Sequence, residues 1–101
     1  MSRIRDLTAA EQHAVHFIKT RPVCELCGRA TPDGTEFHHV PARGRGQRQF
    51  WHLLGGLGVC QFCHRGIHTE GVLFILQSLI ARQRHTTLDD VRRTVRELIK
   101  T

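Results

Sequence analysis

Cys24-Glu25-Leu26-Cys27 and Cys60-Gln61-Phe62-Cys63-His64, with His38-His39 between them and His68 one helical turn after His64, decide how this chain folds. All four cysteines and five of the eight histidines of the 101 residues fall between positions 24 and 68. Each Cys-x-x-Cys turn aims two sulfurs at one point, so two such turns supply the four soft ligands of a tetrahedral zinc ion. Gly28, directly after the first pair, provides the backbone angles that let amides turn toward the sulfurs. A competing set joins Cys24 and Cys27 to His64 and His68, like an enlarged two-Cys two-His finger. That set leaves Cys60 and Cys63 beside the same ion without a role. Structural zinc on Cys24, Cys27, Cys60 and Cys63 is the expectation.

The totals agree with a metal-stapled domain. A chain this short is one domain, 1–101, whose hydrophobic core alone gives limited stability, and domains of this size often add a metal. Forty per cent apolar and 24% charged residues describe a globular chain. It contains no run of about 18 apolar residues, as a membrane span requires, and its first residues lack the apolar core of a signal peptide. The expected location is cytoplasmic, bacterial or in the host cytoplasm if phage-encoded, where paired cysteines read as metal ligands and not as disulfides. The formal charge is +6, and thirteen of the fifteen basic residues are Arg. The planar guanidinium fork grips phosphate through two hydrogen bonds. A polyanion, most simply nucleic acid (DNA, with RNA as the alternative), is the expected partner.

Outward from the cysteines, local patterns mark the elements. Thr8-Ala9-Ala10-Glu11 has the form of a capping box, and Leu7 can staple the entry. The helix it opens is expected to run to about Lys19, with Ala14, Val15 and Ile18 on one face, and to end before Pro22. Pro32-Asp33-Gly34 is a turn signal, and residues 35–40 read as a strand closed by Pro41. Residues 49–54 are a second strand candidate or a short helix, broken by Gly55-Gly56-Leu57-Gly58. The second Cys pair opens a helix carrying His64 and His68 on one face, which Gly71 can interrupt. Residues 72–80 are apolar on nearly every side, so this helix is expected to be buried in the core or in a homodimer contact. Thr87 caps a last helix with Leu88, Val91, Val95 and Leu98 inward and Arg92, Arg93, Arg96 and Lys100 outward.

Taken together, Cys24-x2-Cys27, His38-His39 on a strand, and Cys60-x2-Cys63-His64-x3-His68 resemble the zinc-stabilised HNH nuclease family. The resemblance spans residues 23–70 and implies an α+β fold with a small ββα-metal core. In it, two strands and a helix surround a catalytic divalent ion, and the four-cysteine zinc site clamps the ends. An N-terminal helix (8–20) and two C-terminal helices (72–100) would flank that core. It further implies that His38 and His64 hold Mg²⁺, Mn²⁺, Ni²⁺ or Zn²⁺, with His68 as a third ligand or a phosphate contact. His39 is then the general base, and the products carry 5′-phosphate and 3′-hydroxyl ends. The residue types suit that chemistry in their own right. A divalent ion neutralises phosphate and leaving oxygen together, and a neutral imidazole is a base matched to neutral pH. Adjacent strand residues face opposite ways, so His38 and His39 should not share one role.

The family usually carries an Asn about five residues before the second Cys pair, bracing the loop between the strands; this chain has Gly55 there. His52 can substitute in a shifted loop or contact phosphate. Arg43, Arg45 and Arg48, spaced by glycines, are the remaining candidates for nucleic-acid contact, whereas Phe50 and Trp51 read as packing. His13, His16 and His85 carry no assigned role. The expected function is a metal-dependent HNH endonuclease acting on DNA, of a size that serves phage recombination or packaging, restriction or mobility. The alternative, which Gly55 favours, is a catalytically inactive zinc module that binds nucleic acid. A third reading, a protein-interaction module, rests on the apolar 72–80 segment.

Overall fold

The computed structural model describes residues 7–41, 50–66 and 72–100. Helix α1 (Ala9–Lys19) starts where the sequence pattern puts it: Thr8 Oγ1 accepts the Glu11 amide at 3.1 Å, and Glu11 Oε1 accepts the Thr8 amide at 2.9 Å. Ala14 and Ile18 are buried, while Val15 is only half-buried. The far end is tied down by the turn that follows. Thr35 donates its amide to Lys19 O at 2.9 Å and its hydroxyl to Ile18 O at 2.5 Å, using carbonyls that a helix end leaves unpaired. Gly34 makes that approach at φ +92, and a Cβ there would collide with Lys19 O.

Strand β1 (Glu36–His39) pairs antiparallel with β2 (Gly56–Val59), His38 opposite Leu57 and His39 opposite Gly56. This corrects the expectation that residues 55–58 break an element, strand or short helix, running through 49–54. The second strand is Gly56-Leu57-Gly58-Val59 itself, preceded by a short 3-10 turn, Leu53–Gly55. The glycines are there because the strand is crowded. A Cβ on Gly56 would enter the Phe37 ring, and one on Gly58 would strike Ile18 O. Side-chain alternation then puts Phe37, His39, Gly56 and Gly58 on one face, toward α1, and Glu36, His38, Leu57 and Val59 on the other.

Helix α2 (Gln61–Gly66) follows Cys60. Helices α3 (Leu73–Gln83) and α4 (Leu88–Lys100) pack on each other and on the turn before β2. Their Leu76, Ile80, Ala81, Val91 and Val95 join Val40, Phe50, Leu57 and Val59 in one core. Thr87 Oγ1 accepts the Asp90 amide at 3.0 Å, and the outward arginines of α4 are exposed as expected. The apolar start of α3 is not buried within the chain: Phe74 and Ile75 are 60% and 62% exposed. Between the two helices His85 adopts φ +57, and the amides of His85 and Thr86 bond back to Arg82 O and Ala81 O, a Schellman closure. Among the described residues the fold is a small α+β arrangement of two strands and four α-helices.

An ion pair that local sequence patterns do not reveal joins these parts. Arg84, just after α3, meets Glu25 inside the first cysteine turn through a two-pronged contact, Nη1 to Oε2 at 2.5 Å and Nη2 to Oε1 at 2.8 Å. The side chains are 5% and 4% exposed. Arg84 also donates to Leu53 O at 3.1 Å and Gly56 O at 3.2 Å. Removing one member of a buried pair strands the other charge, at a cost of about 3–5 kcal/mol. Arg84→Met is therefore expected to lose about that much stability by urea unfolding, whereas Arg93→Met, whose partner Asp90 is at the surface, is expected to lose well under 1 kcal/mol.

Candidate metal centre

The two cysteine turns converge as their spacing predicts. The sulfurs of Cys24, Cys27, Cys60 and Cys63 all lie within 4.8 Å of one another, and no disulfide joins them. Cys27 Sγ and Cys60 Sγ are 3.9 Å apart, close to the ~3.8 Å edge of a tetrahedron with metal–sulfur bonds of about 2.3 Å. Backbone amides point into the cluster: Leu26 and Cys27 donate to Cys24 Sγ, and Cys63 donates to Cys60 Sγ, each at 3.4 Å. Gly28, at φ +79, turns the chain out of the first knuckle.

The donor chemistry fits a cation. Burial works against the Cys24 thiolate, but amide hydrogen bonds from Cys27, Cys60 and Leu26 outweigh it and bring the thiol down to about 6. Burial, contact with the sulfurs of Cys60, Cys27 and Cys24, and the charge on Cys24 push the Cys63 thiol up. Four crowded sulfurs therefore cannot all ionise unless a positive charge sits among them. These four residues could hold a structural metal ion.

A second group lies on the Glu36/His38 face of the sheet. His38 is 6% exposed, and its Nε2 is buried with no hydrogen-bond partner among the described residues. Burial first, then the charge of His64, holds its pKa below the ordinary 6.5, so the ring stays neutral. The His64 ring stands edge-on to it, with centroids 5.3 Å apart. Two imidazoles sharing one tetrahedral ion through bonds of about 2 Å would have centroids about 5 Å apart. His64 Nδ1 lies 2.5 Å from Glu36 Oε1. A carboxylate only accepts, so Nδ1 carries a proton and Nε2 is the nitrogen turned away from Glu36, the carboxylate–histidine arrangement that orients metal ligands. Among the described residues no third His, Cys, Asp or Glu joins this pair in a ligand group. His68, the expected third ligand, lies outside the described residues, as do Arg43, Arg45 and Arg48.

His39 points the other way, as alternation requires. Its half-buried ring sits among Trp51, Phe37 and Phe50, at 4.6, 4.7 and 6.1 Å between centroids. Phe50 also explains Gly55: its ring lies where a Cβ at that position would go, so no Asn fits there without displacing it. His52 Nδ1 accepts the Leu54 amide at 3.0 Å and caps the turn before β2. Burial holds the His52 pKa below its ordinary 6.5.

No family model, curated protein or solved structure matches this chain.

Two outcomes follow from this geometry. Cys63→Ser, or a strong chelator added to the parent, is expected to abolish the cooperative thermal melt, because metal-binding energy in so small a domain is folding energy. The second concerns pH. A neutral His52 accepts from Leu54; the protonated ring cannot. With its folded pKa depressed, its contribution to stability is whole above about 6.5 and is lost as pH falls below that value. His38 acts in the same direction. His52→Asn keeps an acceptor without a proton switch, so its urea midpoint is expected to match the parent at pH 7.5 and exceed it at pH 5.5.

Proposed function

We propose that this chain is a metal-dependent endonuclease of the HNH type acting on DNA, with zinc on the four cysteines and a second divalent ion at His38 and His64. The observation that carries the reading is the His38 Nε2 atom. It is buried, has no hydrogen-bond partner among the described residues and belongs to a ring facing His64, whose Nδ1 meets Glu36. An unpaired polar nitrogen of this kind costs about 1–3 kcal/mol, a cost that a bound ion would remove. Zinc suits the four thiols because its tetrahedral thiolate sites need no further ligand.

A divalent ion at the histidine pair would neutralise a non-bridging phosphate oxygen and the departing 3′ oxygen. His38 and His64 would hold that ion, with Glu36 orienting the His64 ring through Nδ1. His39, on the opposite face of the strand, is free of ligand duty and takes the proton of the attacking water. Its neighbours Phe37, Phe50 and Trp51 restrain the ring. Arg43, Arg45 and Arg48 would hold the phosphate backbone, with His68 completing the ion's ligands.

The catalytically inactive nucleic-acid-binding module is the second reading, and Phe50 filling the space at Gly55 is what favours it. Supercoiled plasmid with Mg²⁺, Mn²⁺ or Ni²⁺ separates the two. The nuclease reading expects nicking by the parent, loss of about 100-fold or more in His39→Ala, and comparable loss in His38→Ala with reduced metal binding. Equal DNA binding by parent and His39→Ala, with no nicking by either, would select the module.

A further inference from the structure

The third residue of each cysteine turn is apolar and faces outward: Leu26 in the first, Phe62 in the second. Phe62 is 73% exposed, the most exposed large apolar side chain among the described residues. It is not an isolated ring. The Arg29 guanidinium, from the end of the first turn, lies 5.5 Å from its centroid, within cation–π reach. Arg65, also exposed, is three residues further along α2 and so on the same side of the helix. Helix α2 contains no acidic residue, and the one acid of the first turn, Glu25, is buried against Arg84. The patch thus offers an exposed, planar apolar ring with an arginine against it and a second arginine on the same side of the helix.

We propose that this patch is a stacking platform for an unpaired nucleic-acid base, with Phe62 as the ring and Arg29 and Arg65 as the phosphate contacts. Unpaired strands are the partner that combines a dense line of negative charge with exposed planar faces, and base-on-aromatic stacking beside Arg is how sequence-tolerant single-strand surfaces work. An intact duplex keeps its faces stacked inside and would meet only the arginines. Residues 62 and 64 are about 200° apart around a helix, so the platform is on a different side of α2 from His64. The proposal shares a nucleic-acid partner with the nuclease reading but needs no cleavage.

The test is fluorescence anisotropy of the full chain with a short labelled single strand and with its duplex, without added divalent ion. Phe62→Ala is expected to weaken single-strand binding about tenfold and leave duplex binding unchanged. Phe62→Trp is expected to keep the affinity and to show fluorescence quenching on binding that the parent, with Trp51, lacks. Arg29→Ala is expected to weaken both and to lower the salt slope by about one. Unchanged single-strand affinity in Phe62→Ala, no quenching in Phe62→Trp, equal loss on both nucleic acids, or no single-strand binding by the parent each overturns the platform. Plasmid nicking by Phe62→Ala, measured beside the parent, judges the nuclease reading separately: the platform requires no change there.

Discussion

Glu25 grips Gly58 twice: its amide donates to Gly58 O and its Oε1 accepts the Gly58 amide, both at 2.8 Å. This exchange occupies the edge of β2 that β1 leaves open, so the first cysteine turn becomes the strand's other neighbour. Cys24 is one residue before Glu25 and Cys60 two residues after Gly58, so setting this register sets how the two sulfur pairs approach. The Arg84 fork neutralises the carboxylate and reaches the carbonyls of Leu53 and Gly56. Buried ion pairs are weak evidence for stability in themselves. What this one supplies is specificity, since a slipped register would leave both charges buried and unmatched.

Much of the fold was legible because its signals are local. The Thr8–Glu11 capping box, the Pro32-Asp33-Gly34 turn, the strand around His38-His39 and the amphipathic last helix each depend on residues within one or two turns of each other. Strand β2 was not, because glycine normally signals the end of a strand. Here it signals contact: the Phe37 ring and the Ile18 carbonyl occupy the volume where side chains would be. The Glu25–Arg84 pair was illegible for a different reason. Its partners are 59 residues apart, and nothing local distinguishes Arg84 from twelve other arginines. Convergence of the four sulfurs was legible, since the spacing within each pair constrains geometry whatever lies between the pairs.

The candidate site divides along the strand. Alternation places His38 with Glu36 and His64, imidazoles beside a carboxylate, and places His39 among aromatic rings. Two adjacent residues of one type therefore acquire different chemistry from the backbone alone. The Glu36 contact could not be inferred from spacing, because it depends on where α2 lies over β1. In hindsight a carboxylate two residues before His38 is the one sequence signal for it, since it shares that face of the strand.

Gly55 is best understood through Phe50. A ring large enough to close the cage around His39 and reach the core leaves no room for a side chain at residue 55, so the aromatic cage and a loop Asn are mutually exclusive here. The loop's need for a backbone acceptor remains, and His52 Nδ1 meets it from three residues earlier. On the nuclease reading, what matters is whether the loop is held, because positioning depends on rigidity and not on which side chain provides it. The half-buried His52 imidazole accepts a backbone amide while neutral and gives it up in acid. On that reading, the departure at residue 55 bears on the pH range over which the turn before β2 is held more than on whether it is held at all.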